Sequence, residues 1–124
     1  MAAQHQGLSA ERFARFSRGQ QLLAIANEMN RASKLFRAED RERLLRAYER
    51  VLALVDLAVE VNHGRSPRRE LLRWRGLVAE QYVAQAPDPQ LHARCFRALL
   101  QLHPETWRQL PFVTLNPAPP PAGI

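Results

Sequence analysis

Five arginines fall between positions 65 and 75, at Arg65, Arg68, Arg69, Arg73 and Arg75, and only Glu70 opposes them within that stretch. Guanidinium groups bind phosphates and carboxylates bidentately, so this density suits an acidic partner, a nucleic-acid backbone among them. The cluster lies at the start of a helix, whose orphan amides add positive potential. Arg65, Arg68, Arg69 and Arg73 therefore form a candidate nucleic-acid contact. The competing assignment is a solvated or protein-facing surface. Arg69 and Arg73 share a polar helix face with Glu80, and Trp74 aligns with Leu71 and Val78 as core. The whole chain carries a net charge of +6, with Lys34 its only lysine. Such an arginine bias also arises from GC-rich coding.

Arg75 stands apart from its neighbours. On a helix it shares a side with Leu71, Val78 and Tyr82, at the edge of the apolar stripe. A guanidinium there needs an acid, because an unpaired charge removed from water is costly. Glu28 and Asp56, at the margins of their own helices' apolar faces, are the candidate partners, and Asn30 also lies inward beside Leu23 and Ala26. The four residues form either a polar lock that sets helix register or a ligand site.

The remaining chemistry-bearing residues are sparse. No Gly-rich phosphate loop, Cys/His metal cluster or nucleophile elbow is present, so no metal or cofactor is expected. His92 and His103 are about 16 Å apart along an ideal helix, too far to share a metal. Arg97 and His103 are separated by five residues, a spacing that resembles the arginine–histidine motif of HEPN-class helical ribonucleases. The resemblance implies metal-independent RNA cleavage. An uninterrupted helix would set the two side chains about a third of a turn apart.

All these groups depend on helices for their positions. Ser9 caps a first helical stretch running to about Phe36. Its apolar phase shifts from Phe13 and Phe16 to Leu22, Ile25, Ala26, Met29 and Phe36, which predicts a kink or a short separate helix at Ser17-Arg18-Gly19. A second helix spans about Glu39 to Asn62, with Leu44, Tyr48, Val51, Leu52, Val55, Ala58 and Val59 inward. In the punctuation that follows, Gly64 suits a left-handed stop, Ser66 a cap and Pro67 a first turn. The third helix, Pro67 to Ala84, packs through Leu71, Trp74, Val78 and Tyr82. Asp88-Pro89 opens a fourth that packs through Leu91, Cys95, Ala98, Leu99 and Leu102, and Pro104 starts a short turn carrying Trp107.

These elements predict an all-α fold, an antiparallel bundle of four principal helices in one domain over residues 9–111. A flexible N-terminus (1–8) and a proline-rich tail (112–124) flank it. The longest apolar run, Val51 to Val55, is far short of a membrane span. With one cysteine and no signal pattern, the chain reads as cytoplasmic and bacterial. The expected role is that of a non-enzymatic binding module acting through a protein partner or self-association. Nucleic-acid binding through the third helix is the alternative, and a HEPN-like ribonuclease ranks behind it.

Overall fold

The computed structural model describes residues 9–62 and 64–108 and, for Arg65, the backbone alone. The expected flexible segments 1–8 and 112–124 lie outside the described residues. The rest is all-α: α1 (Ala10–Ala14), α2 (Arg18–Ala32), α3 (Arg41–Val61), α4 (Arg65–Val83), α5 (Pro89–Leu100) and α6 (Pro104–Trp107). A single 3₁₀ turn, Ala38–Asp40, leads into α3.

The four long helices close into a ring. α2 packs on α3 and α5, and α4 packs on the same two helices. Cross-helix bonds fix the directions. Asn62 at the end of α3 donates to Gln21 at the start of α2. Between α3 and α4, Asp56 meets Arg75 and Glu49 meets Tyr82. Each pairing descends one helix as it climbs the other, so consecutive helices are antiparallel. The core is continuous around the ring, with Leu22, Ile25 and Met29 from α2 meeting Val51 and Val55 from α3. Leu71, Trp74 and Val78 from α4 and Phe96 and Leu99 from α5 complete it. Burying each large side chain contributes about 1.5–3 kcal/mol.

The shift in apolar phase near the N-terminus corresponds to a real break. Ser17 ends the first short helix's exit and caps α2: its hydroxyl accepts from the Gln20 amide, while the Gln20 side chain accepts from the Ser17 amide. That reciprocal capping box satisfies two otherwise orphaned donors. Gln21 then donates to the carbonyls of Phe13 and Phe16, tying the break to α2. Phe13 is fully buried, whereas Phe16 remains well exposed.

Two boundaries differ from the sequence expectation. α2 stops at Ala32 rather than Phe36: the amides of Lys34 and Leu35 turn to the i−3 carbonyls of Arg31 and Ala32, and by Arg37 the backbone is extended. Gly64 is not left-handed: it is extended, with φ −72° and ψ 139°, and acts as the N-cap of α4. Ser66 accordingly lies within the first turn instead of capping it. The left-handed stop is unnecessary because Asn62 closes α3 itself, donating from Nδ2 to the Ala58 carbonyl at 2.6 Å. Asp88 caps α5 as anticipated, accepting from the Gln90 amide. At its far end α4 is closed by Arg41 of α3, whose guanidinium reaches the carbonyls of Ala84 and Gln85.

α6 folds back onto α2 and α5. Its Thr106 is fully buried and donates to the Leu100 carbonyl at 2.8 Å. Gly19, in the first turn of α2, makes room for Glu105: a Cβ built there would fall 2.2 Å from the Glu105 carboxylate and 2.9 Å from its Cβ. Gly76, in the middle of α4, has nothing within 4 Å of such an atom. Alanine at Gly19 is therefore expected to destabilise the fold by about 1–2 kcal/mol as α6 is pushed outward. Alanine at Gly76 should stabilise it by about 0.5–1 kcal/mol through helix propensity alone. Urea melts of both variants check this, and equal shifts would show that α6 yields freely.

Candidate functional site

The best-built polar site lies inside the ring. His92 of α5 is 2 % exposed and Tyr48 of α3 is 1 % exposed. The Tyr48 hydroxyl donates to His92 Nδ1 at 2.8 Å, and His92 Nε2 lies 3.0 Å from the Met29 carbonyl of α2. A carbonyl can only accept, so Nε2 carries the proton and Nδ1 is the acceptor. The Ser33 hydroxyl sits 3.1 Å from the same Nε2. On the other side Gln81 of α4 approaches the Tyr48 oxygen at 3.4 Å. It also exchanges two bonds with the Asp88 backbone, donating to its carbonyl at 2.8 Å and accepting from its amide at 3.0 Å. The chain Met29–His92–Tyr48–Gln81–Asp88 thus links all four long helices. The ring of Phe36 contacts the imidazole edge-on at 5.1 Å.

Burial sets the protonation of this network. Desolvation pulls His92 down to about 4 from an ordinary 6.5, against the opposing effect of the Met29 carbonyl. Desolvation likewise pushes the Tyr48 hydroxyl well above its ordinary range, and it pushes the Cys95 thiol up. Imidazole, phenol and thiol are catalytic residue types, but all three side chains are closed off from solvent in the described structure. The arrangement holds a proton in place between helices. Helix periodicity places Tyr48 on an apolar face and leaves His92 without a partner in its own helix, so the sequence alone does not bring the two together. A signal for the burial of His92 was available: it lies one turn before Phe96, which is also buried.

Arg75 and its expected partners separate into two sites. Arg75 donates from Nε to Asp56 at 2.7 Å, with a longer second contact at 3.4 Å. The pair is not buried: Arg75 is 35 % exposed and Asp56 59 %. This corrects the expectation of an interior lock. Arg75 sits at the rim of the α4 stripe, and its aliphatic stem carries the head group out to water. Glu28 is the more buried acid, and it pairs with Arg50 of α3 at 3.0 Å and with Arg31 at 3.6 Å, not with Arg75. Asn30 is half-buried on α2, and its side chain makes no hydrogen bond among the described residues. Arg75→Ala is therefore expected to cost less than about 1 kcal/mol in a denaturant melt, as screened surface pairs do. A loss of several kcal/mol would return the pair to the core.

Arg97 and His103 belong to different elements. α5 ends at Leu100, and His103 caps α6, with Nδ1 accepting from the Glu105 amide at 3.1 Å. Arg97 is exposed on α5. Among the described residues, no group of three or more His, Cys, Asp or Glu side chains is placed to hold a metal ion. No helix among them is long and apolar enough to cross a membrane.

The outer face of α4 is the remaining unusual surface. Arg68, Arg69 and Arg73 are exposed and form no ion pair among the described residues. Nearby Glu70 is engaged by Arg18 of α2. Leu72, at 52 % exposure, lies between them, and Leu77 at 42 % and Val83 at 76 % follow along the helix. At 100° per residue, Leu72, Gly76 and Val83 lie on one line along the helix, with Arg68 on one flank and Arg69 and Arg73 on the other. Comparison with protein-family models, curated proteins and solved structures finds no match for the chain.

Proposed function

We propose that this protein is a non-enzymatic interaction module whose outer α4 face docks an acidic protein partner that also carries apolar side chains. One observation supports this above the others: exposed Leu72 lies among Arg68, Arg69 and Arg73, which form no ion pair among the described residues, and exposed Leu77 and Val83 continue the apolar surface beyond them. Phosphates would use the arginines but leave the three apolar side chains in water. A protein surface bearing both carboxylates and apolar groups uses the whole face, as interface composition generally does. Two copies meeting in parallel through this face would bring Arg68 and Arg69 of one near the same cluster of the other, which opposes that mode of self-association.

The test is a native pull-down from the source cell with and without nuclease, using the unaltered chain and a Leu72→Glu/Leu77→Glu variant. Both substitutions sit at exposed positions, so the fold is retained. Protein partners that survive nuclease and are lost with the double variant support the proposal. Capture that disappears with nuclease, and is indifferent to the leucines, would reassign the face to RNA or DNA.

A further inference from the structure

We infer that the partner element is an acidic amphipathic α-helix that crosses α4 at Gly76, with a large side chain seated between Leu72 and Val83. This deepens the docking assignment above and rests on it. The first support is Gly76 itself. It stands in the interior of a 19-residue helix, is exposed, and meets nothing within 4 Å at its Cβ position. Glycine weakens a helix interior, and here no turn or internal close approach calls for it. Its remaining effect is external: it leaves a notch one turn beyond Leu72 on the outer line, open to a side chain from another molecule. Gly19 shows the same device used internally, where the missing Cβ admits Glu105.

The second support is the form of the surface. Leu72 to Val83 spans about 16 Å of straight helix, the length over which the ridges of one helix engage the grooves of another. The α4 backbone is already hydrogen-bonded within its helix and offers an extended segment no strand-like pairing. A strand laid there would leave its own amides and carbonyls unmet, whereas a helix satisfies its own. The third support is charge. Arg68, one turn before Leu72, and Arg69 and Arg73 on the other flank match acidic residues on the half of an incoming apolar stripe that precedes Gly76, whereas exposed Glu80, one turn beyond it, confines the match to that half.

The experiment is a calorimetric titration of the intact protein with a cross-linked helical peptide bearing one leucine stripe flanked by glutamates. The same peptide broken by a central proline, and a single-stranded oligouridylate, serve as comparisons. The helical peptide is expected to bind, and the broken one to bind at least about tenfold more weakly. Gly76→Leu fills the notch and is expected to cost about tenfold or more in affinity, while its melting temperature stays level or rises. Arg69→Ala/Arg73→Ala should weaken binding and flatten its salt dependence. Equal binding of both peptides, or full affinity in Gly76→Leu, overturns the helix while leaving the docking face standing, provided the arginine variant still weakens both peptides. Unchanged affinity in the arginine variant, no binding of either peptide, or binding of the oligouridylate alone overturns the docking face as well.

Discussion

Replacing His92 with alanine is expected to lower the unfolding free energy by about 3–4 kcal/mol, a large share of the stability of a domain this size. The loss has two sources. The ring is fully packed against Phe36, Tyr48 and Phe96, so truncation leaves a cavity. It also strands the Tyr48 hydroxyl and removes one donor from the Met29 carbonyl, and unsatisfied buried polar groups cost about 1–3 kcal/mol each. Tyr48→Phe keeps the packing, orphans His92 Nδ1 and removes the longer of the two contacts of the Gln81 amide, so it should cost less, about 1–2 kcal/mol. Urea melts followed by far-UV dichroism and tryptophan emission measure both. Trp74 is a suitable reporter, since its indole donates to the Cys95 carbonyl of α5 at 2.8 Å. A His92→Ala cost below about 1 kcal/mol would mean that the ring of helices closes without the network.

The second large effect is acid sensitivity from the same residue. Folded His92 titrates near 4, whereas the ordinary value is 6.5. Between those values the unfolded chain binds a proton that the folded chain refuses, so stability falls as pH falls. The contribution is fully present above about pH 6.5 and is lost progressively down to about pH 4, amounting to roughly 3 kcal/mol. Protonation also has a geometric consequence. A second N–H on the ring would face the Tyr48 hydroxyl, which would then have to turn its own proton toward the Gln81 amide, itself a donor. Denaturant melts across this range should show a steeper acid loss in the native chain than in His92→Asn, which cannot titrate. Carboxylates contribute equally to both, so parallel curves would remove His92 from the acid response.

The Arg75 and Glu28 outcomes show how far helix periodicity reaches. It places Arg75 at a stripe edge and Glu28 near an inward face, and both positions hold. It does not say which acid meets which base. Asp56 and Arg75 meet because α3 and α4 run antiparallel in that register, and Arg50 reaches Glu28 because α3 and α2 do the same. Likewise α5 buries His92, Phe96 and Leu100, a face turned from the one read through Leu91, Ala98 and Leu102. Hydropathy counted histidine as polar, and its burial depends on partners from other helices.

Helical periodicity and capping residues specify the all-α class, the four long helices, the break before α2, the Asp88 cap and most of the core on α2, α3 and α4. These follow from local physics: apolar residues recurring at the helical period, and caps satisfying orphan amides within a few residues. Packing between helices sets the Met29–His92–Tyr48–Gln81–Asp88 chain, the exposure of the Arg75–Asp56 pair and the use of Gly19 as a seat for Glu105. Each joins residues far apart in the chain. Whether a polar group is a cost or a tie depends on the donor or acceptor that another helix brings to it.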